Sequence, residues 1–309
     1  MGPNLRPGPE QRLKPGLFPA VLLIWGLLFS CQSFGASAEE YYNIGMAYFE
    51  MGRYEEAERW LARAAAADKT RTASEYNLGR IAFEAGRYGD AAWYFERVLA
   101  RDGNNVMALR ALAYTRIKTG EIEEAEALYA RVLALVPDSL DDGYNHALVL
   151  FAMKKYGETE KLLAANPLAL EENKDVLLLF ARTQKALGKV EAADSYARWL
   201  KDNDNGAIRY EYAQTLEGAE LYARALEEYQ AAFSSLPPDS ENPRRPDLRF
   251  DLARVFLIAD SENPQGMMEL RTALDEGFAG KEALEALAAD ERVSAAAREE
   301  LRELIRDLP

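Results

Sequence analysis

The residues with the most chemistry to offer are three tyrosine–asparagine pairs, Tyr42-Asn43, Tyr76-Asn77 and Tyr144-Asn145, the second 34 residues after the first and the third 68 after that. A carboxamide donates to a carbonyl and accepts from an amide at once, which is what an extended polypeptide backbone asks of a binding surface. The tyrosine beside it supplies amphipathic contact area at small entropic cost. Other reactive residues are scarce. The chain has one histidine, His146, and one cysteine, Cys31, and Cys31 falls in the stretch read below as a leader, so the folded part is expected to hold neither a catalytic cysteine nor a thiolate metal centre. There is no GxSxG turn, no phosphate loop and no aspartate-rich loop of calcium-binding spacing. The expectation is therefore no catalytic residue, no metal and no cofactor. His146, at an apolar helix position beside Ala147, reads as packing. The acidic runs Glu55-Glu56, Glu121-x-Glu123-Glu124 and Glu171-Glu172 read as solvated helix faces.

Charge narrows the partners further. Against 51 acidic side chains stand 37 lysines and arginines, a formal net charge of −14. That sign opposes binding to a phosphate backbone or adhesion to anionic lipid, and no nucleic-acid partner is expected. Residues 1–38 read as a leader: Arg6, Arg12 and Lys14 precede an apolar run over 17–29 that Pro19 interrupts. The run is shorter than the ~20 residues of a membrane-spanning helix but suits the core of a signal peptide. Two exits follow it. Ala36-Ser37-Ala38 has the small-x-small pattern of ordinary signal cleavage, whereas Leu28-Phe29-Ser30-Cys31 resembles a lipobox in which Cys31 would carry the lipid, with bulky Phe29 an awkward fit. Either exit places the protein in the periplasm or cell envelope, with membrane contact only through a lipid on Cys31.

The elements that must hold the tyrosine–asparagine pairs are helices. No proline occurs between Pro19 and Pro137, and the chain there is dominated by strong helix formers. Gly52-Arg53-Tyr54-x-x-Ala57 returns as Gly86-Arg87-Tyr88-x-x-Ala91, then as Gly120-Glu121-Ile122-x-x-Ala125, each step 34 residues, and Gly188-Lys189-Val190-x-x-Ala193 lies two steps further. Four strings in one register mark a repeat. They resemble the tetratricopeptide repeat (TPR) family, whose unit is a 34-residue helix–turn–helix. Units starting near 38, 72, 106, 140, 174 and 206 place a small residue at unit position 8 (Gly45, Gly79, Ala113, Ala147, Ala181, Ala213), where two helices cross closely. The resemblance implies an all-α, right-handed TPR-type alpha-solenoid of antiparallel helix pairs over residues 39–239. Residues 240–309 follow as degenerate TPR-like helices and a helical C-terminal cap, which an open repeat end requires. The fourth unit departs: His146 takes an apolar place, Lys154 the turn glycine and Thr159 the small alanine, while Asn166-Pro167 cuts its second helix.

In TPR proteins the first helix of each unit lines the concave side. The resemblance thus implies a peptide-binding groove of Tyr42, Asn43, Tyr76, Asn77, Arg80, Arg110, Tyr144 and Asn145, extended by Tyr114, Lys118, Arg182 and Tyr210. A second reading of the same pairs is packing copied by repeat duplication, since both residues suit a buried helix contact with a polar edge. The function expected is a non-enzymatic envelope scaffold or adaptor that binds a partner protein or peptide, such as an envelope assembly or transport component. Two alternatives stand beside it. One is a self-associating structural protein, a homo-oligomer whose groove is filled by its own kind. The other is a small-ligand binder or enzyme with a pocket around His146, Tyr144 and Lys154.

Overall fold

The structure is a computed structural model, and it describes residues 37–306 and 308. The expected leader and Cys31 lie outside the described residues. Every regular element within them is an α-helix, in consecutive antiparallel pairs. The chain divides at Lys155 and Tyr156 into two compact units. The first holds α1 (Ala38–Glu50), α2 (Tyr54–Ala64), α3 (Asp68–Glu84), α4 (Tyr88–Arg101), α5 (Val106–Thr119), α6 (Ile122–Leu135) and α7 (Leu140–Ala152). The second holds α8 (Tyr156–Ala164), α9 (Pro167–Glu172), α10 (Lys174–Ala186), α11 (Ala192–Leu200), α12 (Gly206–Gly218), α13 (Tyr222–Ser235), α14 (Arg245–Ala259), α15 (Pro264–Asp275), α16 (Lys281–Ala289) and α17 (Ala295–Arg306).

The 34-residue period has two physical causes. One is the turn that closes each pair: Gly52 and Gly86 carry φ of +72° and +74°, a backbone that side chains with a Cβ disfavour. Lys154 and Glu220 adopt the same backbone at the same place in their units, with φ of 59° and 58°. The other cause is the crossing. A Cβ on Gly79 would sit 2.6 Å from Phe95 Cε1, and one on Gly45 would sit 2.7 Å from Leu61 Cγ. Ala113, Ala181 and Ala213 occupy the equivalent crossings with no exposed surface. Successive pairs are then tied by one recurrent ion pair, from a glutamate of the second helix to a base just after the next pair's turn. It is Glu58–Arg87 at 3.0 Å, Glu126–Lys155 at 4.0 Å and Glu160–Lys189 at 2.7 Å. Partly exposed pairs of this kind contribute below about 1 kcal/mol each, so they mark register more than they stabilise.

The fourth pair breaks where its proline is. Helix α8 stops at Ala164, and α9 starts with Pro167 at its first position, where a missing N–H costs nothing. Asn166 Oδ1 caps α9 by accepting from the Ala169 N–H at 3.1 Å. Helices α14 to α17 share a core of Leu257, Leu270, Leu284, Leu287 and Leu301, with the Phe250 and Phe278 rings stacked 4.2 Å apart.

The crossing constraint is testable by adding one methyl group. Gly79→Ala should destabilise the chain by about 1–3 kcal/mol, because fully buried Phe95 has nowhere to move. Gly89→Ala, in α4 with open space around it, should instead stabilise by about 0.5–1 kcal/mol. Urea midpoints of the two variants against the parent check the sign in each case.

Candidate interaction face

In the first unit α1, α3, α5 and α7 are the first helices of successive pairs, and side chains cross laterally from each to the next. One such crossing joins two of the sequence-predicted residues. Asn77 Nδ2 donates to Tyr42 Oη at 3.2 Å and to the Ala73 carbonyl at 2.9 Å, and Asn77 Oδ1 accepts from Arg80 Nη1 at 3.2 Å. Asn77 is buried, so both its donors serve the protein itself. Asn145 is buried on α7, whereas Asn43 is exposed on α1. Tyr42, Tyr76, Arg80, Arg110 and Tyr144 are half-buried. The eight residues thus share the face of the first helices but differ in reach.

Arg110 meets a partner that sequence reasoning did not single out. Its guanidinium holds Asp142 of α7 in a two-pronged grip, Nε to Oδ1 at 2.8 Å and Nη2 to Oδ2 at 2.5 Å. Asp142 is only 1% exposed. The hydrogen bonds to that carboxylate raise the Arg110 pKa, against the opposing pull of burial. The charge of Arg110 is therefore neutralised at the α5–α7 crossing rather than presented. Burial, and then the Asp142 charge, drive the Tyr129 phenol well above its usual range, which keeps it neutral in the core behind the face.

Two aromatic crossings complete the first unit. Arg80 of α3 lies 4.6 Å above the Phe49 ring of α1. Phe83 of α3 meets Tyr114 of α5 at 5.1 Å between centroids, and Lys118 reaches to 5.3 Å from the Tyr114 ring. Phe49, Phe83 and Tyr114 are half-buried and Lys118 is exposed. The result is a partly open row of aromatic rings with two cations above them. Phe49 and Phe83 were not among the predicted residues, yet they lie 34 apart at unit position 12. The period that exposed the tyrosine–asparagine pairs would have found them too.

In the second unit the same positions carry ions. Arg182 of α10 holds Glu211 of α12, at 2.8 Å from Nε to Oε2 and 2.6 Å from Nη2 to Oε1, and Lys185 Nζ donates to Gln214 Oε1 at 2.7 Å. Tyr210 Oη donates to Asp251 Oδ2 at 2.5 Å, and Arg254 of α14 grips Glu217 with two bonds of 2.8 Å. Tyr210–Asp251 repeats, between unit positions 5 and 6, the crossing that Tyr42–Asn77 makes in the first unit. Burial raises the Asp251 carboxyl above its ordinary value although Arg254 pulls it down. Burial likewise lowers the Lys185 ammonium, with Glu211 opposing. Here the first-helix side chains satisfy one another.

His146 is buried and bridges α7 to α6, with Nε2 3.1 Å from Glu126 Oε1. Neighbouring Lys154 contributes the left-handed turn described above. Among the described residues no group of three or more histidines, cysteines, aspartates and glutamates could hold a metal ion, and no helix is long and apolar enough to cross a membrane.

The lateral bond between Tyr42 and Asn77 should appear as coupling. Tyr42→Phe and Asn77→Ala should each cost about 0.5–2 kcal/mol of stability, and the double variant should cost less than their sum by about 0.5–1 kcal/mol. A double-mutant cycle on urea unfolding measures it, and strict additivity would show that the two side chains act independently.

Family models described as tetratricopeptide repeat match residues 37–104 and 82–145. No curated protein matches the sequence. Among solved structures, a tetratricopeptide repeat protein from Parabacteroides merdae is 19% identical, with a TM-score of 0.54 over 87% of this chain and 99% of that one. YrrB, described as a TPR protein with an unusual peptide-binding site, is 17% identical with a TM-score of 0.52, over 62% of this chain and 96% of its own. A MamA double mutant labelled RS-1 is 15% identical with a TM-score of 0.50, over 54% and 94%. Likeness at these identities speaks for the fold alone, an all-helical solenoid of antiparallel pairs. Residues 37–145, matched by the family models, belong to the tetratricopeptide repeat family.

Proposed function

We propose that the protein is a non-enzymatic adaptor that holds a segment of a partner protein against the first-helix face of its first unit. One observation carries this reading: the half-buried rings of Phe49, Phe83 and Tyr114, with exposed Lys118 beside Tyr114, lie on the face, whereas the equivalent side chains of α10, α12 and α14 are spent on one another. Rigid rings with adjacent cations are favourable anchors for a polypeptide, since they offer large contact area with few rotatable bonds. Tyr42, Asn43, Tyr76, Tyr144 and Arg80 flank this row, and exposed Asn43 is the asparagine best placed to meet a backbone amide. Asn77, Asn145 and Arg110 support the surface from below in this account. The proposed setting is the cell envelope, after export by the leader at 1–38, with attachment to the membrane through Cys31 if that residue is lipidated.

Affinity capture of the parent from envelope extract, beside a Phe83→Ala, Tyr114→Ala variant, tests the face. The parent should retain a defined partner that the variant loses at least about tenfold, as expected when central aromatic anchors are truncated, with helicity unchanged by circular dichroism. Equal retention by both would move the site elsewhere. Mass spectrometry of the purified N-terminus tests the setting: a start at Glu39 means a free secreted form, a lipid-modified start at Cys31 an anchored one, and an intact Met1 contradicts export by cleavage.

A further inference from the structure

In the first-helix row of the second unit, two carboxylates divide one guanidinium. Arg254 of α14 gives Nε and Nη2 to Glu217 of α12, both at 2.8 Å, and Nη1 to Asp251 Oδ1 at 2.7 Å. The Asp251 side chain is 11% exposed and that of Glu217 17%. Two negative charges therefore sit in a poorly solvated place with a single cation bonded to both. Carboxylates so placed repel each other where water is largely excluded, and one proton relieves the arrangement.

The surroundings decide which carboxyl receives it. Around Asp251, α12 presents Tyr210, Gln214 and Glu217, α13 presents Tyr229, α10 presents Lys185, and α14 itself presents Arg254. Tyr210 Oη donates to Asp251 Oδ2 at 2.5 Å, and Gln214 also bonds that carboxyl. Tyr229 Oη donates to Glu217 Oε2 at 2.8 Å, so Glu217 has two bonds from the guanidinium and one from a phenol. Asp251 has one from the guanidinium and is the more buried of the two. Lys185 does not make up the difference. Its Nζ bonds Gln214 Oε1 at 2.7 Å and the Glu211 carbonyl at 3.2 Å, and burial weakens its hold on its own proton. Toward α15, Arg249 is taken by Glu269 and Glu276 at 2.6 and 3.0 Å. Burial, reinforced by Glu217, outweighs the pull of Arg254, Tyr210 and Gln214 and leaves the Asp251 carboxyl above its ordinary range.

We propose that the Asp251–Glu217 pair is a pH-sensitive device: on acidification Asp251 binds a proton, Arg254 is left to Glu217, and the lateral contact between α12 and α14 becomes firmer. A carboxyl that holds its proton more tightly folded than unfolded adds stability as pH falls through its folded value. The gain is complete below about 3.9, the ordinary value for an aspartate. A carboxylate stabilised by its ion pair does the reverse, losing stability over the same fall. The device lies wholly within the second unit and does not depend on partner binding at the aromatic row of the first.

Carboxyl carbon NMR of the full chain with labelled aspartate follows the proton directly, the Asp251 signal being assigned through its backbone. Asp251 should titrate above about 3.9. Glu217→Gln should weaken its proton affinity at least about threefold, because the like charge is gone while Arg254 remains. Urea midpoints of the parent and Asp251→Asn, taken from about pH 8 to about pH 4.5, give the stability readout. Their difference should move in favour of the parent as pH falls, whereas a purely structural role would leave it constant. A titration at or below about 3.9, one that Glu217→Gln leaves in place, or a midpoint difference that is constant or moves against the parent in acid would each overturn the proposal. Should Asp251→Asn fail to fold, the titration in parent and Glu217→Gln decides alone.

Discussion

The close crossing of two helices, with room for no more than a methyl group between them, is the constraint on which the rest depends. At Gly79 even that methyl would collide with Phe95, and at Ala113, Ala181 and Ala213 the methyl is wholly enclosed. Fixing the crossing fixes the angle of each pair. Once the pair is set, only certain residues of the first helix can face the next first helix, and only certain residues of the second can reach the next turn. The recurrent glutamate-to-base contacts and the lateral crossings follow from that geometry and not from any strong individual bond.

What varies along the chain is the chemistry placed in those fixed slots. In the first unit the lateral slots hold Tyr42–Asn77, Phe49–Arg80, Phe83–Tyr114 and Arg110–Asp142. In the second they hold Arg182–Glu211, Lys185–Gln214, Tyr210–Asp251 and Glu217–Arg254. Aromatic rings in a slot leave a face that another molecule can use, because their flat sides and edges are not consumed by one partner. Opposed ions in a slot satisfy each other, and burial of Asp251 makes loss of its partners costly. One backbone plan therefore carries mostly aromatic rings in the lateral slots of one unit and mostly opposed polar and charged groups in those of the other.

The sequence carried the fold plainly, since glycine and alanine at crossings and turns are demanded by backbone proximity and repeat with the backbone. Proline at 167 announced the broken second helix of the fourth pair for the same reason. The candidate face was legible only in part. Position in the repeat places Asn77 on the right side of α3, but whether a carboxamide turns outward or toward a tyrosine 35 residues earlier depends on the neighbouring helix. Arg110 read as a groove cation because Asp142, buried at a helix start, gave no signal that it would reach back to it.

The central claim, that the aromatic row of the first unit meets the partner while the ion-paired row of the second does not, is tested most directly by site-specific photocrosslinking. A benzophenone side chain placed at Phe83 and, separately, at Lys185 would report contact at each row in the presence of the captured partner. The account predicts a crosslinked partner from position 83 and none from position 185. Crosslinking from 185 alone, or equally from both, would contradict it.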